Sequence, residues 1–273
     1  MEDIGKRWVK SKSIETEFEV YVLSFEYLPG KFIEKNIARL GREDEIRKVL
    51  SEIGFSYESI IDFEKEANLG VGDIGIGSSY IISELANKKI RSVAYALRYE
   101  NGDLKQRIED GRQVEYSDYW LEEGSNWEHK KGFSYELDID GRKHKSIAYD
   151  IAILSDKADF VTTLRLFQSE PTSAVSYQDF ARGDILKAYD EYISTSSINQ
   201  FLYLDDSSYD GKLLRLKQEY FYSASAIMDI FKRYKNRYGS IDKIDERIKI
   251  FANDIHPTIA LVEFIRILNE TYK

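Results

Sequence analysis

The sequence has 273 residues, 42% of them hydrophobic and 32% charged, with a net charge of −9. Such a chain can form one large globular domain or two small ones, and its acidic balance disfavours nucleic acid, whose phosphates bind positively charged surfaces. The absence of cysteine excludes disulfides and thiol catalysis. The three histidines are too scattered along the chain for a zinc site, and we expect no bound metal.

No apolar run approaches the roughly 18–20 residues that a membrane span needs. The N-terminal residues 1–12 are charged and lack the apolar core of a signal peptide. We therefore expect a cytoplasmic protein without a membrane partner.

The first predicted elements are a strand and three helices. Residues 18–25 are rich in β-branched and aromatic side chains, which is typical of a strand. A helix is predicted from Lys31, and a second helix ends at Gly54, where a left-handed residue commonly closes a helix. Ser56 is placed to cap a third, short helix.

Residues 68–79 form a glycine-rich segment before a helix predicted from Tyr80. A glycine loop that leads into a helix N-terminus can cradle an anion. Asp73 would place a carboxylate inside that loop, and a plain tight turn is the alternative interpretation. Gly70, Gly72 and Gly75 match the G-x-G-x-x-G spacing, but no strand is predicted before them, so we reject a dinucleotide site.

The middle of the chain is rich in predicted hairpins, and the last third is mostly helical. Asp110-Gly111 and Asp140-Gly141 each separate two strand-like arms, which indicates tight hairpin turns. Further strands are predicted at residues 92–99, 160–167 and 248–252, and helices at 184–193, 197–203, 213–237 and 258–271. This order predicts an α/β fold with a mixed sheet flanked by helices, in a single domain over residues 1–273.

Several stretches then line up, in order, with one family. They include Val22-Leu23-Ser24-Phe25-Glu26-Tyr27, the glycine-rich segment, Leu97-Arg98-Tyr99-Glu100-Asn101-Gly102, residues 211–221 and residues 253–260. On these motifs the chain resembles the N-terminal part of the glycogen and α-glucan phosphorylases, from about residue 20 onward. The resemblance implies the front part of that family's N-terminal domain.

The resemblance also implies a chemistry and its partners. The family transfers glucosyl units from an α-1,4-glucan to phosphate, with pyridoxal phosphate bound to a lysine of a C-terminal half that has no counterpart among the matching stretches. We therefore expect this chain to bind no cofactor. Its implied partners are an α-1,4-glucan or maltooligosaccharide, and a second copy of itself or a complementary C-terminal chain.

Individual site residues follow only from the resemblance. The positions that match the family's substrate-binding residues are Glu26, Ile74, Asp205, Ser207, Asp254 and His256. The phosphate loop is degenerate at Gly70, Gly72, Asp73 and Gly75: the family reads Gly-Asn-Gly-Gly-Leu-Gly-Arg, and residues 70–76 read Gly-Val-Gly-Asp-Ile-Gly-Ile.

Structural roles remain open for several of these residues. Glu26 could pair with Arg98 or Arg165 at the edge of the core, and His256 could be a helix-entry residue bonded to the backbone. We assign Arg215, Lys217 and Glu219 to ion pairs on a long helix.

Two hypotheses about function result. In the first, the chain is non-catalytic alone and acts as a glucan-binding or regulatory pseudoenzyme, or as one piece of a split enzyme. In the alternative, it is a protein-interaction module, because an incomplete sheet exposes an edge and apolar faces.

Overall fold

The computed structural model describes residues 2–271, and the fold is α/β, as predicted. The strands are β1 (Glu19–Leu23), β2 (Ser92–Leu97), β3 (Leu104–Glu109), β4 (Arg112–Ser117), β5 (Glu128–Ile139), β6 (Arg142–Leu154), β7 (Val161–Pro171) and β8 (Ile248–Ala252). The helices are α1 (Glu2–Ser13), α2 (Phe32–Leu40), α3 (Glu43–Glu52), α4 (Tyr57–Phe63), α5 (Gly72–Asn87), α6 (Tyr177–Ala181), α7 (Ile185–Ala188), α8 (Asp190–Gln200), α9 (Tyr209–Tyr238), α10 (Ile244–Arg247) and α11 (Ile259–Thr271). A single 3-10 turn, His256–Thr258, precedes α11.

The main sheet is mixed and has six strands in the order β5-β6-β7-β2-β1-β8. β1 pairs in parallel with β2 on one side and with β8 on the other, and β7 runs parallel to β2. β5, β6 and β7 form an antiparallel meander. The parallel half is connected by helices, so the carboxyl ends of β1, β2 and β8 meet at one edge.

Both Asp-Gly hairpins are confirmed. Asp110 and Gly111 have φ values of 49° and 74°, and Asp140 and Gly141 have 57° and 73°. Consecutive left-handed residues define the tight turn that matches strand twist, and Asp-Gly tolerates it well. The first hairpin forms a separate two-stranded sheet, and the second joins β5 to β6.

The two faces of the sheet are covered by different helices. Tyr21, Leu23 and Tyr95 face a cluster built on α9, whose residues Phe221 and Ile227 are fully buried. The alternating residues Val22, Ala94 and Ala96 pack on the other face against Phe32 of α2 and Ile82 of α5. Because successive side chains of a strand point to opposite faces of the sheet, the same strands supply the apolar residues of both cores. The result is a three-layer structure with the sheet between two layers of helices.

The helix after the glycine-rich segment begins earlier than predicted. α5 starts at Gly72 rather than Tyr80, so Gly72, Asp73 and Gly75 belong to its first turn and not to a loop. A Cβ on Gly75 would lie 3.2 Å from Cβ of Leu28, and the Gly75 carbonyl accepts the Leu28 amide at 2.9 Å. Glycine suits this helix because the chain after β1 packs directly on its backbone.

Other boundaries also differ from prediction. α1 was not predicted; it packs Trp8 on the sheet, with the indole N–H donating to Thr163 at 2.9 Å. The predicted helix at 184–193 breaks at Tyr189, and Phe201 leaves the next helix in an extended conformation. β7 extends to Pro171, because it pairs with β6 along its whole length. No helix within residues 2–271 combines the length and the apolarity needed to cross a membrane.

Candidate functional site

The candidate residues converge where the parallel strands end. β1 is followed by Ser24 and Glu26, and β8 is followed by Asn253 and Asp254. After β1 the chain continues to β2, which pairs on one side of β1, whereas β8 pairs on the other side. The strand order therefore changes direction between β1 and β8. Such a point in an open parallel sheet forms a crevice that commonly binds ligands. We call the residues around it the strand-end site.

Asp254 and His256 form a hydrogen-bonded pair in this site. Oδ1 of Asp254 lies 2.9 Å from Nδ1 of His256 and accepts the His256 backbone amide at 2.7 Å. Oδ2 accepts the Phe25 amide at 3.2 Å. The His256 ring stacks on Phe25, with centroids 4.9 Å apart. His256 is therefore held by a side-chain carboxylate as well as by the local turn.

These contacts change the pKa of both Asp254 and His256. Burial disfavours the charged form of Asp254, but the hydrogen bonds from His256 and from the Phe25 amide outweigh it and lower the pKa of the carboxyl. The hydrogen bond to Asp254 raises the pKa of His256 above its ordinary value of 6.5, against the opposing effect of burial. The pair thus favours a carboxylate beside a protonated imidazole.

Glu26 contacts the N-terminus of α5. Its Oε2 accepts the Val71 amide at 3.0 Å and the Tyr203 hydroxyl at 3.3 Å. A Cβ on Gly70 would lie 2.6 Å from Cβ of Glu26, so glycine is required here by close approach. The burial of Tyr203, helped by Glu26, raises the pKa of its hydroxyl to about 12.

The structural pairing considered for Glu26 is wrong. Arg98 binds Glu128 through two hydrogen bonds of 2.8 and 2.7 Å. Arg165 is buried between Asp150 and Asp229, at 2.6 and 2.5 Å. Both arginines are paired with acids on the sheet and on α9, and Glu26 bonds instead to the Val71 amide and the Tyr203 hydroxyl.

A chain of three polar side chains connects the elements under the site. Ser78 of α5 donates to Ser24 at 2.8 Å, and Asn253 donates to Ser78 at 2.6 Å. Ser24 and Ser78 are fully buried. The Ser78 hydroxyl therefore joins α5 to the segments after β1 and β8. These hydrogen bonds also give the buried polar groups the partners that they require.

The anion cradle is altered in two ways. Val71 precedes the first turn of α5, and its amide is already bonded to Glu26. Asp73 is the second residue of the helix and is exposed to solvent. Ile74 is partly exposed, and its carbonyl accepts the Ser78 hydroxyl at 2.8 Å. The carboxylates of Glu26 and Asp73 lie at the N-terminus of α5, where they interact with the positive end of the helix dipole. Their negative charges disfavour the binding of a further anion.

Asp205 and Ser207 lie apart from the other candidates. Oδ1 of Asp205 accepts the amide and the hydroxyl of Ser207 at 3.0 and 2.6 Å, which lowers the pKa of Asp205. Both residues are exposed in the loop before α9, and their hydrogen bonds reach none of the other candidate side chains. Tyr203, two residues earlier, is the member of this loop that contacts Glu26.

The structure adds residues that the sequence did not indicate for this site. Arg215 of α9 lies 5.6 Å from the Phe25 ring and donates to the Leu202 carbonyl and to Gln218, rather than to an acid. Burial raises the pKa of Glu219, with His256 and Arg215 opposing the shift. Only Lys217 forms the expected ion pair, with Asp140 at 3.2 Å.

The cluster does not fit pyridoxal phosphate by itself. That cofactor needs a lysine amine for its Schiff base and cations for its phosphate. The side chains described above around Glu26 and His256 are carboxylates, hydroxyls and Arg215. The lysines of the neighbouring cavity beside Gly70, Lys65 and Lys105, are already paired with Glu122 at 3.1 Å and with Asp118 at 2.6 Å. Within residues 2–271 there is also no group of three or more metal-ligating side chains.

The comparisons with known proteins identify a relationship over nearly the whole chain. The family model described as carbohydrate phosphorylase matches residues 50–273. Glycogen phosphorylase of Chlamydia trachomatis is 30% identical over 98% of this chain and 36% of its own length. Those of Haemophilus influenzae and Bacillus subtilis are each 32% identical, covering 93% and 98% of the chain. The chain thus spans about a third of the length of these curated relatives.

Proposed function

Because the chain belongs to the carbohydrate phosphorylase family, we propose that it binds an α-1,4-glucan at the strand-end site without catalysing phosphorolysis alone. The observation that carries this proposal is that Glu26 is fixed by the Val71 amide and His256 by Asp254, which also accepts the amide of Phe25, the residue before Glu26. Hydrogen-bonding groups are held there by the backbone before any ligand arrives. The substrate class comes from the names of the relatives, which are glycogen phosphorylases.

The geometry suits sugar hydroxyls. Oε2 of Glu26 is occupied by Val71 and Tyr203, which leaves Oε1 to accept a hydroxyl proton. Nδ1 of His256 is bonded to Asp254, so Nε2 is the ring nitrogen that can reach a ligand. A protonated His256 can donate a hydrogen bond through Nε2, and the Glu26 carboxylate can accept one. Together they match a sugar hydroxyl, which both accepts and donates hydrogen bonds.

Phosphate handling is the function that this chain supports least. The Val71 amide is taken by Glu26, and Asp73 adds a second carboxylate to the first turn of α5. Removal of one preorganised donor from a catalytic site typically costs about 3 kcal/mol of transition-state stabilisation. A regulatory glucan-binding role, or a role as one piece of a split enzyme in the cytoplasm, accords with these features.

Calorimetric titration with maltoheptaose tests the binding proposal. We expect saturable binding that His256→Ala weakens and that His129→Ala, a change at an exposed histidine outside the site, leaves unchanged. Equal binding by wild type and His256→Ala would contradict the assignment of the site.

A separate assay tests the catalytic part. The pure chain with maltoheptaose, phosphate and pyridoxal phosphate should release no glucose 1-phosphate above background. Activity that appears only after a C-terminal half from a relative is added would identify a split enzyme. Activity of the chain alone would overturn the proposal.

The exposed edge of β8 favours a second candidate function, self-association. Among residues 2–271, β8 pairs only with β1, and its residues Ile250 and Phe251 are partly exposed. Leu261 and Val262 of α11 are each about two-thirds exposed, at 68% and 66%. An uncovered edge beside apolar side chains is a template for another strand, here from a second copy. Size-exclusion chromatography with light scattering should then show a dimer, which Phe251→Lys would dissociate.

A further inference from the structure

A second cavity lies between α2, α5 and the end of β6, away from the strand-end site. Its volume is about 310 Å³, at the small end of the range of ligand cavities, about 300–1,000 Å³. None of the strand-end residues described above lines it. We call it the α2–α5 cavity.

The floor of the α2–α5 cavity is apolar. It is formed by Phe32 of α2, Ile82 of α5 and the last residues of β6, Ala152 to Leu154, all of them buried. At the rim, Tyr80 is 65% exposed, so a large aromatic ring stands in solvent beside the opening. An apolar floor with an aromatic rim suits a ligand that has a flat hydrocarbon face.

The walls are polar but electrically balanced. Two cations, Lys35 and Arg39, and two acids, Glu84 and Asp156, line the cavity. Arg39 already binds Asp156 at 2.8 Å, and Asn87 donates to both acids, at 3.0 Å to Glu84 and 2.9 Å to Asp156. The Lys35 ammonium donates to the Pro29 carbonyl. Because the cations are paired or bonded and the acids offset them, the cavity favours a neutral ligand over an anion.

One buried donor in the lining has no partner. Asn36 is 4% exposed, and its Nδ2 makes no hydrogen bond among the described residues. Such a group is rare in native structures, because an unsatisfied buried donor destabilises the folded state. Asn36 lines the cavity together with Ser79 and Ser83, so a rotation of its side-chain amide would bring Nδ2 to a ligand oxygen beside two hydroxyl groups.

From these features we propose that the α2–α5 cavity binds a neutral hexose unit, either free or at the end of a glucan chain. Its hydroxyls would meet Asn36 and the serines, and its hydrocarbon face would lie against the apolar floor. This goes beyond the proposed function, since it concerns a separate site and does not depend on binding at His256.

The test is a titration of isotope-labelled protein followed by amide chemical shifts, with glucose, maltoheptaose and inorganic phosphate as separate probes. We expect a sugar to shift the amides of Ser83, Asn87 and Asp156 and the side-chain amide of Asn36. Shifts with glucose identify a free hexose, and shifts only with maltoheptaose identify a chain end. The same shifts with phosphate, or none with either sugar, would overturn the proposal.

Variants separate this cavity from the strand-end site. Ser83→Phe, which fills the cavity, should abolish the shifts, and Tyr80→Ala should weaken binding by about two- to tenfold, the range for one modest contact. Tyr177→Ala, at another highly exposed helical tyrosine, should change nothing. The chemical-shift changes in the cavity should persist in His256→Ala, and their loss in that variant would assign them to the strand-end site. Intact binding in both Tyr80→Ala and Ser83→Phe would refute binding in the α2–α5 cavity.

Discussion

The carboxylate of Glu26 accepts the backbone amide of Val71 at 3.0 Å, where the first turn of α5 begins. A side chain of the protein therefore occupies a donor that an incoming anion would otherwise use. The contact depends on Gly70, because any side chain there would collide with Glu26. One residue thus both occupies this donor and adds a negative charge at the N-terminus of α5.

Removal of this carboxylate should restore affinity for anions. Glu26→Ala frees the Val71 amide and takes one negative charge from the helix N-terminus, so we expect phosphate to bind more tightly than to wild type. Asp73→Asn should add to the gain. Isothermal titration with phosphate measures both, and Asp205→Ala, which removes an exposed carboxylate elsewhere, serves as the control. No gain in the double variant would show that these carboxylates do not exclude anions.

Two glycine substitutions should have opposite effects. Gly70→Ala would place Cβ 2.6 Å from Glu26 Cβ and 3.0 Å from the Tyr27 nitrogen, which forces a backbone shift. We expect a loss of about 1–3 kcal/mol in the free energy of unfolding. Gly77→Ala meets nothing within 4 Å inside α5 and should stabilise by about 0.5–1 kcal/mol. Urea unfolding distinguishes the two, and equal effects would contradict the close approach at Gly70.

The buried charges around Arg165 should dominate the stability of the sheet. Arg165→Met removes the cation that Asp150 and Asp229 share and leaves Asp150 with the longer 3.7 Å contact to Lys131, so we expect a loss of about 3–5 kcal/mol. Arg42→Met breaks the exposed pair with Glu45, which solvent screens, and should cost far less. Denaturant unfolding of both variants gives the comparison. Similar losses would mean that the buried network contributes no more than a surface pair.

The Asp254–His256 pair predicts a pH dependence of stability. The folded-state pKa of His256 is raised, so its contribution is fully present below the unfolded pKa of 6.5 and is lost as pH rises through the folded value. The pKa of Asp254 is lowered, so its contribution is present above its ordinary value of 3.8 and is lost as pH falls through the folded value.

Unfolding at two pH values checks this dependence. The stability difference between wild type and His256→Ala should be larger at about pH 5.5 than at about pH 8.5, on either side of the histidine titration. In an Asp254→Asn background, the same histidine substitution should lose most of that dependence. A difference that is constant with pH would contradict the ion pair.

Local patterns made much of the fold predictable. The Asp-Gly turns depend on four consecutive residues, and the Ser56 cap was confirmed by its hydrogen bond from the Ser59 amide at 3.0 Å. The start of α5 was missed because glycine disfavours helices in isolation, whereas contact with Leu28 favours it here. α1 was missed because its stability comes from Trp8 packing on the distant β7.

The candidate site was predictable only in part. The structure brings together Glu26, Asp254 and His256, but the resemblance could not indicate that Asp205 and Ser207 bond to each other. The partners of Glu26 were misassigned because they depend on which arginines the sheet order places beside Asp150 and Glu128. In the sequence, Tyr203 is an aromatic residue in a polar loop, and nothing there indicates its contact with Glu26.

The hydroxyl of Ser78 has a mechanical consequence. It ties α5 to Ser24 beyond β1 and to Asn253 beyond β8, and it is out of reach of water. A displacement of the helix by even one ångström would strain both contacts at once. A shift of α5 would therefore act at the same time on the segment after β1 and on the segment after β8.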